Sequence, residues 1–137
     1  MAKFATKEWF EAFIHVLRGD QEYLDAVKEW DKTILLIIRG EADSDYIKED
    51  ENLIAFLDIY KGDVRDPKLF ETEDVEADFV FEMGVNTFEA IAKGEVNVVT
   101  ALGKGDVAVK GDMTYLLEFA EGLSKFNENL TNVPTEW

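Results

Sequence analysis

Apolar residues recur three and four apart at Trp9, Phe10, Phe13, Ile14 and Leu17, the spacing of one helical face. Thr6 stands before them as a capping residue, so a helix is predicted from Thr6 to Arg18. Gly19 stops it, and Asp20 caps a second predicted helix over 21–30. The period then changes. Residues 33–39 are β-branched and continuously apolar in their middle, which predicts a central strand buried on both faces. Ile34, Leu36 and Ile38 face one way, Leu35 and Ile37 the other. A polar, acidic connection fills 40–51. Strict alternation resumes over 52–60, with Leu53, Ala55, Leu57 and Ile59 on one face, and Lys61-Gly62-Asp63 turns the chain.

Residues 64–75 are acidic, carry Pro67 and read as a loop with a short helical turn over 67–70. A third strand is predicted over 77–83, with Phe79, Phe81 and Met83 on one face, and Gly84 breaks it. Asn86 and Glu89 form a capping-box pattern for a short helix that ends at Gly94. A second short helix covers 96–102 and closes in Gly103-Lys104-Gly105. Val107 and Val109 mark a fourth strand over 106–110, and Gly111 turns it. Asp112 caps a long last helix whose stripe is Met113, Leu116, Leu117, Ala120, Leu123 and Phe126, continued by Leu130. Pro134 makes the tail from Thr131 irregular, with Trp137 able to dock back.

Length and composition narrow the classes. A chain of 137 residues with 47% hydrophobic residues is the size of one domain, 1–137, and can bury a real core. Its 30 acidic against 14 basic residues give a formal charge of −16, which disfavours nucleic acids and anionic membrane surfaces. The absence of cysteine removes disulfides, thiolate nucleophiles and thiolate metal sites. The longest apolar run, 34–38, is far short of the roughly 20 residues that span a bilayer, so no stable membrane insertion is expected. The first residues lead into a charged helix and not an apolar signal core, which makes the expected location cytoplasmic.

Candidate chemistry is sparse. His15 is the one histidine, beside the apolar stripe of the first helix and without a spaced partner. Carboxylates crowd 43–51 and 71–76, but abundance does not define a catalytic pair. Asp43-Ser44-Asp45 opens like a calcium loop and then lacks the glycine and terminal glutamate such a loop needs. Gly103-Lys104-Gly105-Asp106 follows a helix and precedes a strand, the reverse of a phosphate loop, and Asp106 would repel phosphate. Arg18-Gly19-Asp20 reads as helix punctuation. No catalytic residue, metal ligand or cofactor is assigned.

One unit carries more information. It reads Phe88-x-x-Ile91-x-x-Gly94-Glu95, a short apolar helix, Gly105-x-Val107-x-Val109-x-Gly111-Asp112, and then the long amphipathic helix. Two helices, a strand pair and the strand Ala77-Asp78-Phe79-Val80-Phe81 precede it. This arrangement resembles the sterol carrier protein type 2 family of lipid-binding domains, in the form of a free-standing prokaryotic-type member. Gly105-Asp106 departs from the Gly-Lys frequent in that family, with Lys104 supplying a displaced charge.

The resemblance implies an α+β fold. Its largely antiparallel twisted sheet of about five strands carries helices over one face, with an apolar cavity between. It implies non-catalytic binding, and transfer, of a fatty acid, fatty acyl-CoA or other lipid. Candidate lining residues are Phe79, Phe81, Val99, Leu102, Leu116, Phe119, Ala120, Leu123 and Phe126. The alternatives are an interaction or regulatory module that uses the same fold to sense an apolar metabolite or to present the acidic segments 40–51 and 64–75 to a protein partner, and an enzyme using His15 or a carboxylate pair. A helix-grip fold is the competing architecture, but it has no place for the helices between the third and fourth strands.

Overall fold

The computed structural model describes the backbone of residues 1–137 and every side chain except those of Asp66 and Pro67. In chain order the elements are β1 (Ala2–Lys3), α1 (Lys7–Arg18), α2 (Gln21–Ala26), β2 (Thr33–Arg39), β3 (Leu53–Tyr60) and β4 (Asp63–Phe70). There follow β5 (Phe79–Gly84), α3 (Val85–Ala92), α4 (Val98–Lys104), β6 (Val107–Lys110), α5 (Met113–Glu118), α6 (Ala120–Thr131) and β7 (Thr135–Glu136). The main sheet has five strands in the order β4-β3-β2-β5-β6. It is mixed: β2 runs antiparallel to β3 and parallel to β5, and the other two ladders are antiparallel.

The strand β2 is central and buried on both faces, as its unbroken apolar run requires. Ile34, Leu36 and Ile38 join the main core with inward residues of β3 and β5 and the apolar stripes of the helices. Leu35 and Ile37 join Ile54 in a smaller cluster on the opposite face, with Phe56, Phe70, Val75, Ala77 and Val80 packed around it. The larger core lies between the sheet and the helices.

Several expectations change. The segment 64–75 is not wholly a loop, because residues 63–70 form β4. Lys61 (φ 52°) and Gly62 (φ 83°) both take left-handed backbone, which makes the two-residue connection of a tight hairpin with β3. On β4 Val64 is buried while Asp63, Arg65 and Lys68 are exposed, so the strand lacks the apolar alternation that would announce it. Lys68–Phe70 are strand and not a helical turn, and the Pro67 side chain on which that turn was placed lies outside the described residues. The second helix stops at Ala26, four residues early, because Val27 and Trp30 turn into the core.

The capping box at Asn86 does not form. Gly84 is the N-cap of α3 without a side-chain bond, and Asn86 instead donates from Nδ2 to Glu41 and Asp43 of the 40–51 connection. The last helix is two helices, broken at Phe119 (φ −109°, ψ 30°). The tail is ordered: β7 pairs in parallel with β1, Trp9 Nε1 donates to Thr135 Oγ1 at 2.9 Å, and the Trp137 ring lies 4.9 Å from that of Phe4.

Candidate functional site

The inward face of the sheet forms a floor of Ile34, Leu36, Ile59, Phe81 and Met83. Phe88 and Ile91 of α3 close one side, and Tyr23, Val27 and Trp30 close another. Over the top lie Leu116, Phe119, Gly122, Leu123, Phe126, Asn127 and Leu130 from α5 and α6, with Val98 at the start of α4. Between these walls is a cavity of about 60 Å³. A site for one water needs roughly 10–15 Å³, so the space is several times that minimum.

The break at Phe119 shapes this roof. It turns the Phe119 ring inward onto Trp30, 5.2 Å between centroids, and onto Tyr115 at 5.0 Å. It also takes Met113 and Leu117 off the inward stripe, and Leu117 is 68% exposed. Tyr115 fastens α5 to the loop before β2: its hydroxyl donates to Asp31 Oδ1 and accepts from Asp31 N–H, each at 3.2 Å. Gly122 lets α6 approach α2, since a Cβ there would run into Val27 Cγ1.

Among the described residues that line the walls none is charged. Asp20 caps α2 by accepting from Glu22 N–H and Tyr23 N–H, and Asn129 Nδ2 donates to its other oxygen at 2.8 Å. The Asn129 bond, above the two backbone bonds, holds this carboxyl below the usual carboxylate range. Burial, with a contribution from the negative charge of Asp63, pushes the Tyr23 hydroxyl well above the usual tyrosine range, so it stays protonated.

Five of the candidate lining residues meet at the cavity: Phe81, Leu116, Phe119, Leu123 and Phe126. The other four stand elsewhere. Phe79 is fully buried and stacks on Trp30 at 5.5 Å, behind the wall. Leu102 packs on the edge of the core, Val99 is 57% exposed on α4, and Ala120 is exposed at the start of α6. The second short helix begins at Val98 with Asn97 as its cap, two residues later than predicted, so its faces are rotated relative to the expected ones.

Sequence reasoning passed over Tyr23, Val27 and Trp30, whose spacing of four and three marks one helical face continuing past α2. It also passed over Phe88 and Ile91, although both belong to the glycine-punctuated unit. Asn127 had a subtler signal, as a polar residue on the stripe between Leu123 and Leu130.

The candidate catalytic groups are not assembled. His15 is exposed on α1. Glu41 and Asp43 receive Asn86, Ser44 accepts from Tyr46 N–H and Ile47 N–H, and Arg39 pairs with Glu73 and Glu82. Among the described residues no group of three or more His, Cys, Asp or Glu could hold a metal ion. Among them, too, no helix is long and apolar enough to cross a membrane.

A mixed sheet roofed on one face by helices around an uncharged apolar cavity is the architecture of a lipid-binding α+β domain. The chain belongs to the SCP-2 sterol transfer family, whose profile matches residues 13–124. It is similar to a crystal structure of sterol carrier protein 2, with a TM-score of 0.83 and 25% identity over 96% of this chain and 99% of that one. The solution structure of protein TT1886 from Thermus thermophilus has the same fold, with a TM-score of 0.81 and 24% identity over 99% of this chain and 93% of that one. So does the apo form of sterol carrier protein 2 from Yarrowia lipolytica, with a TM-score of 0.60 and 17% identity over 96% of each chain. Among curated proteins, none matches the chain.

Proposed function

We propose that this protein binds an apolar ligand, a fatty-acyl compound or similar lipid, between the sheet and the α5–α6 roof, and releases it unchanged. The observation that carries the reading is the composition of the walls: apolar side chains from sheet and helices converge on one space, and none of the described residues lining it is charged. Such a site needs little directional chemistry. Transfer of a hydrocarbon chain from water contributes roughly 0.8 kcal/mol per buried CH₂, so about ten buried methylenes contribute roughly 8 kcal/mol without directional contacts. The exposed position of His15, and the use of the loop carboxylates in holding α3 and β2, fit a carrier better than a hydrolase.

Titration with a fluorescent lipid tests the proposal. Wild-type protein is expected to bind it saturably, and Leu123→Trp, which fills the cavity, is expected to lose at least tenfold in affinity while remaining folded. Equal binding by the two proteins would place the ligand elsewhere.

A further inference from the structure

The cavity reaches the surface along one line. Of the described residues on its walls, Phe119, Leu123 and Phe126 are half-buried, and the others are buried. Spaced four and three, they stand one above another on one side of α6 and form a mouth. Helix α5 meets the Phe119 end, where Phe119 N–H donates to the Leu116 carbonyl at 3.1 Å. Helix α4 meets the Phe126 end, where Val98 N–H donates to Asn127 Oδ1 at 2.9 Å.

The two flanks repeat one arrangement. Leu116 and Val98 line the cavity. The next residue of each helix is turned about 100° further round and stands in water. Leu117 is 68% exposed and Val99 57%, and Met113, one turn before Leu117, is 43% exposed. A single apolar residue on a surface needs no explanation, but apolar side chains gathered at the opening of an apolar cavity form a rim with a use.

Charge narrows what can meet this rim. Residues 96–117 carry two lysines, Lys104 and Lys110, against two aspartates, Asp106 and Asp112, so the whole formal charge of −16 lies on the rest of the chain. An uncharged surface can approach here without desolvating a net charge. Glu118 and Glu121, exposed just beyond the rim, repel anionic headgroups. A protein partner fits less well: binding hot spots centre on Trp, Tyr and Arg, with Leu and Val under-represented, and the rim offers Val, Met and Leu. Such side chains enter an acyl layer without a matched pocket.

We infer that Val99, Met113 and Leu117 dock the mouth on a lipid bilayer of zwitterionic headgroups, so that ligand passes between cavity and acyl layer without crossing water. The inference rests on the proposed binding function and adds to it the surface at which exchange occurs.

Cosedimentation with vesicles tests it, using phosphatidylcholine alone and phosphatidylcholine mixed with phosphatidylserine. The proteins are wild type, Leu117→Ser, the double variant Val99→Ser with Leu117→Ser, and Tyr60→Ser. Tyr60 is the control, exposed on β3 beside the inward Ile59 and pointing away from the cavity. Wild type is expected to bind phosphatidylcholine vesicles and to bind less as phosphatidylserine is added. Leu117→Ser is expected to bind about tenfold more weakly, the effect of one leucine no longer leaving water, and the double variant more weakly still. Tyr60→Ser should match wild type. All four should bind a fluorescent lipid equally without vesicles, because none of the substituted residues lines the cavity.

Wild type that stays in the supernatant, binding that rises with phosphatidylserine, or equal losses in Leu117→Ser and Tyr60→Ser would overturn the docking surface and leave the binding function standing. A dimer in analytical ultracentrifugation that Leu117→Ser dissolves would overturn it too, assigning the rim to a second copy of the chain. Failure of wild type to bind the fluorescent lipid overturns the binding function and the exchange role together.

Discussion

At the scale of residues, the roof depends on a glycine. Gly122 faces Val27, and Gly122→Ala sets two effects against each other. Alanine gains about 0.8–1 kcal/mol of helix propensity over glycine. The added methyl collides with Val27 Cγ1, a branched side chain with little room to turn, and overpacking of this kind costs about 1–3 kcal/mol. The collision is expected to win, with a net loss of about 1 kcal/mol in a urea melt. In a Val27→Ala background the same substitution should become neutral or stabilising. The cavity's apolar wall was legible in part: Phe81, Leu116, Phe119, Leu123 and Phe126 were picked from alternation and stripe. Val99 and Ala120 were misplaced because an error of one or two residues in a helix start, or an unseen break, swings the predicted face through 100° or more. Val98 N–H donates to Asn127 Oδ1 across 29 residues of sequence, and no local pattern announces that bond.

Elements show the same division. The strands β2, β3 and β5 and helix α1 were legible because apolar period and caps agreed. β4 was hidden by its charges, since buried Val64 stands between exposed Asp63 and Arg65. The α5–α6 break was hidden because its cause is tertiary: Phe119 leaves helical geometry to pack on Trp30. This break makes α5 a six-residue helix held largely by Leu116, the inward rings and the Tyr115–Asp31 bonds. Tyr115→Phe removes those two bonds while keeping the ring contacts. Its expected effect is local: hydrogen exchange in α5 rises about tenfold, and global stability changes by about 1 kcal/mol or less. Ligand uptake should quicken if α5 must move to enlarge the cavity. Uniform acceleration of exchange across the sheet would show that α5 does not open on its own.

At the scale of the whole molecule, charge dominates. A formal charge of −16 on 137 residues opposes compaction. Exposed pairs such as Arg18–Asp63 and Lys7–Glu11 are each worth about 0–1 kcal/mol and do not offset it. Salt shortens the Debye length, so the melting temperature at neutral pH is expected to rise as NaCl goes from about 10 mM to about 300 mM. A fall would mean that the ion pairs outweigh the repulsion. In acid the sign comes from Asp20 and Glu73, whose carboxyls are lowered first by hydrogen bonds from Asn129 and Arg39 respectively. Groups depressed in the folded state stabilise it above their ordinary values of 3.8 and 4.5, and that stabilisation is lost as pH falls through the lower folded values. Stability should therefore decline below about pH 4, and Asn129→Ala, which removes the leading bond to Asp20, should flatten that decline.

The membership of this chain in a sterol transfer family and its uncharged cavity meet in one claim, that the space under α5 and α6 holds an apolar guest. Native mass spectrometry of gently purified protein tests it most directly, with wild type and Leu123→Trp measured after exposure to the same lipid extract. The account predicts a one-to-one adduct on wild type that is released on collisional activation and is absent from the folded variant. A bare wild-type protein, or the same adduct on both, would contradict it.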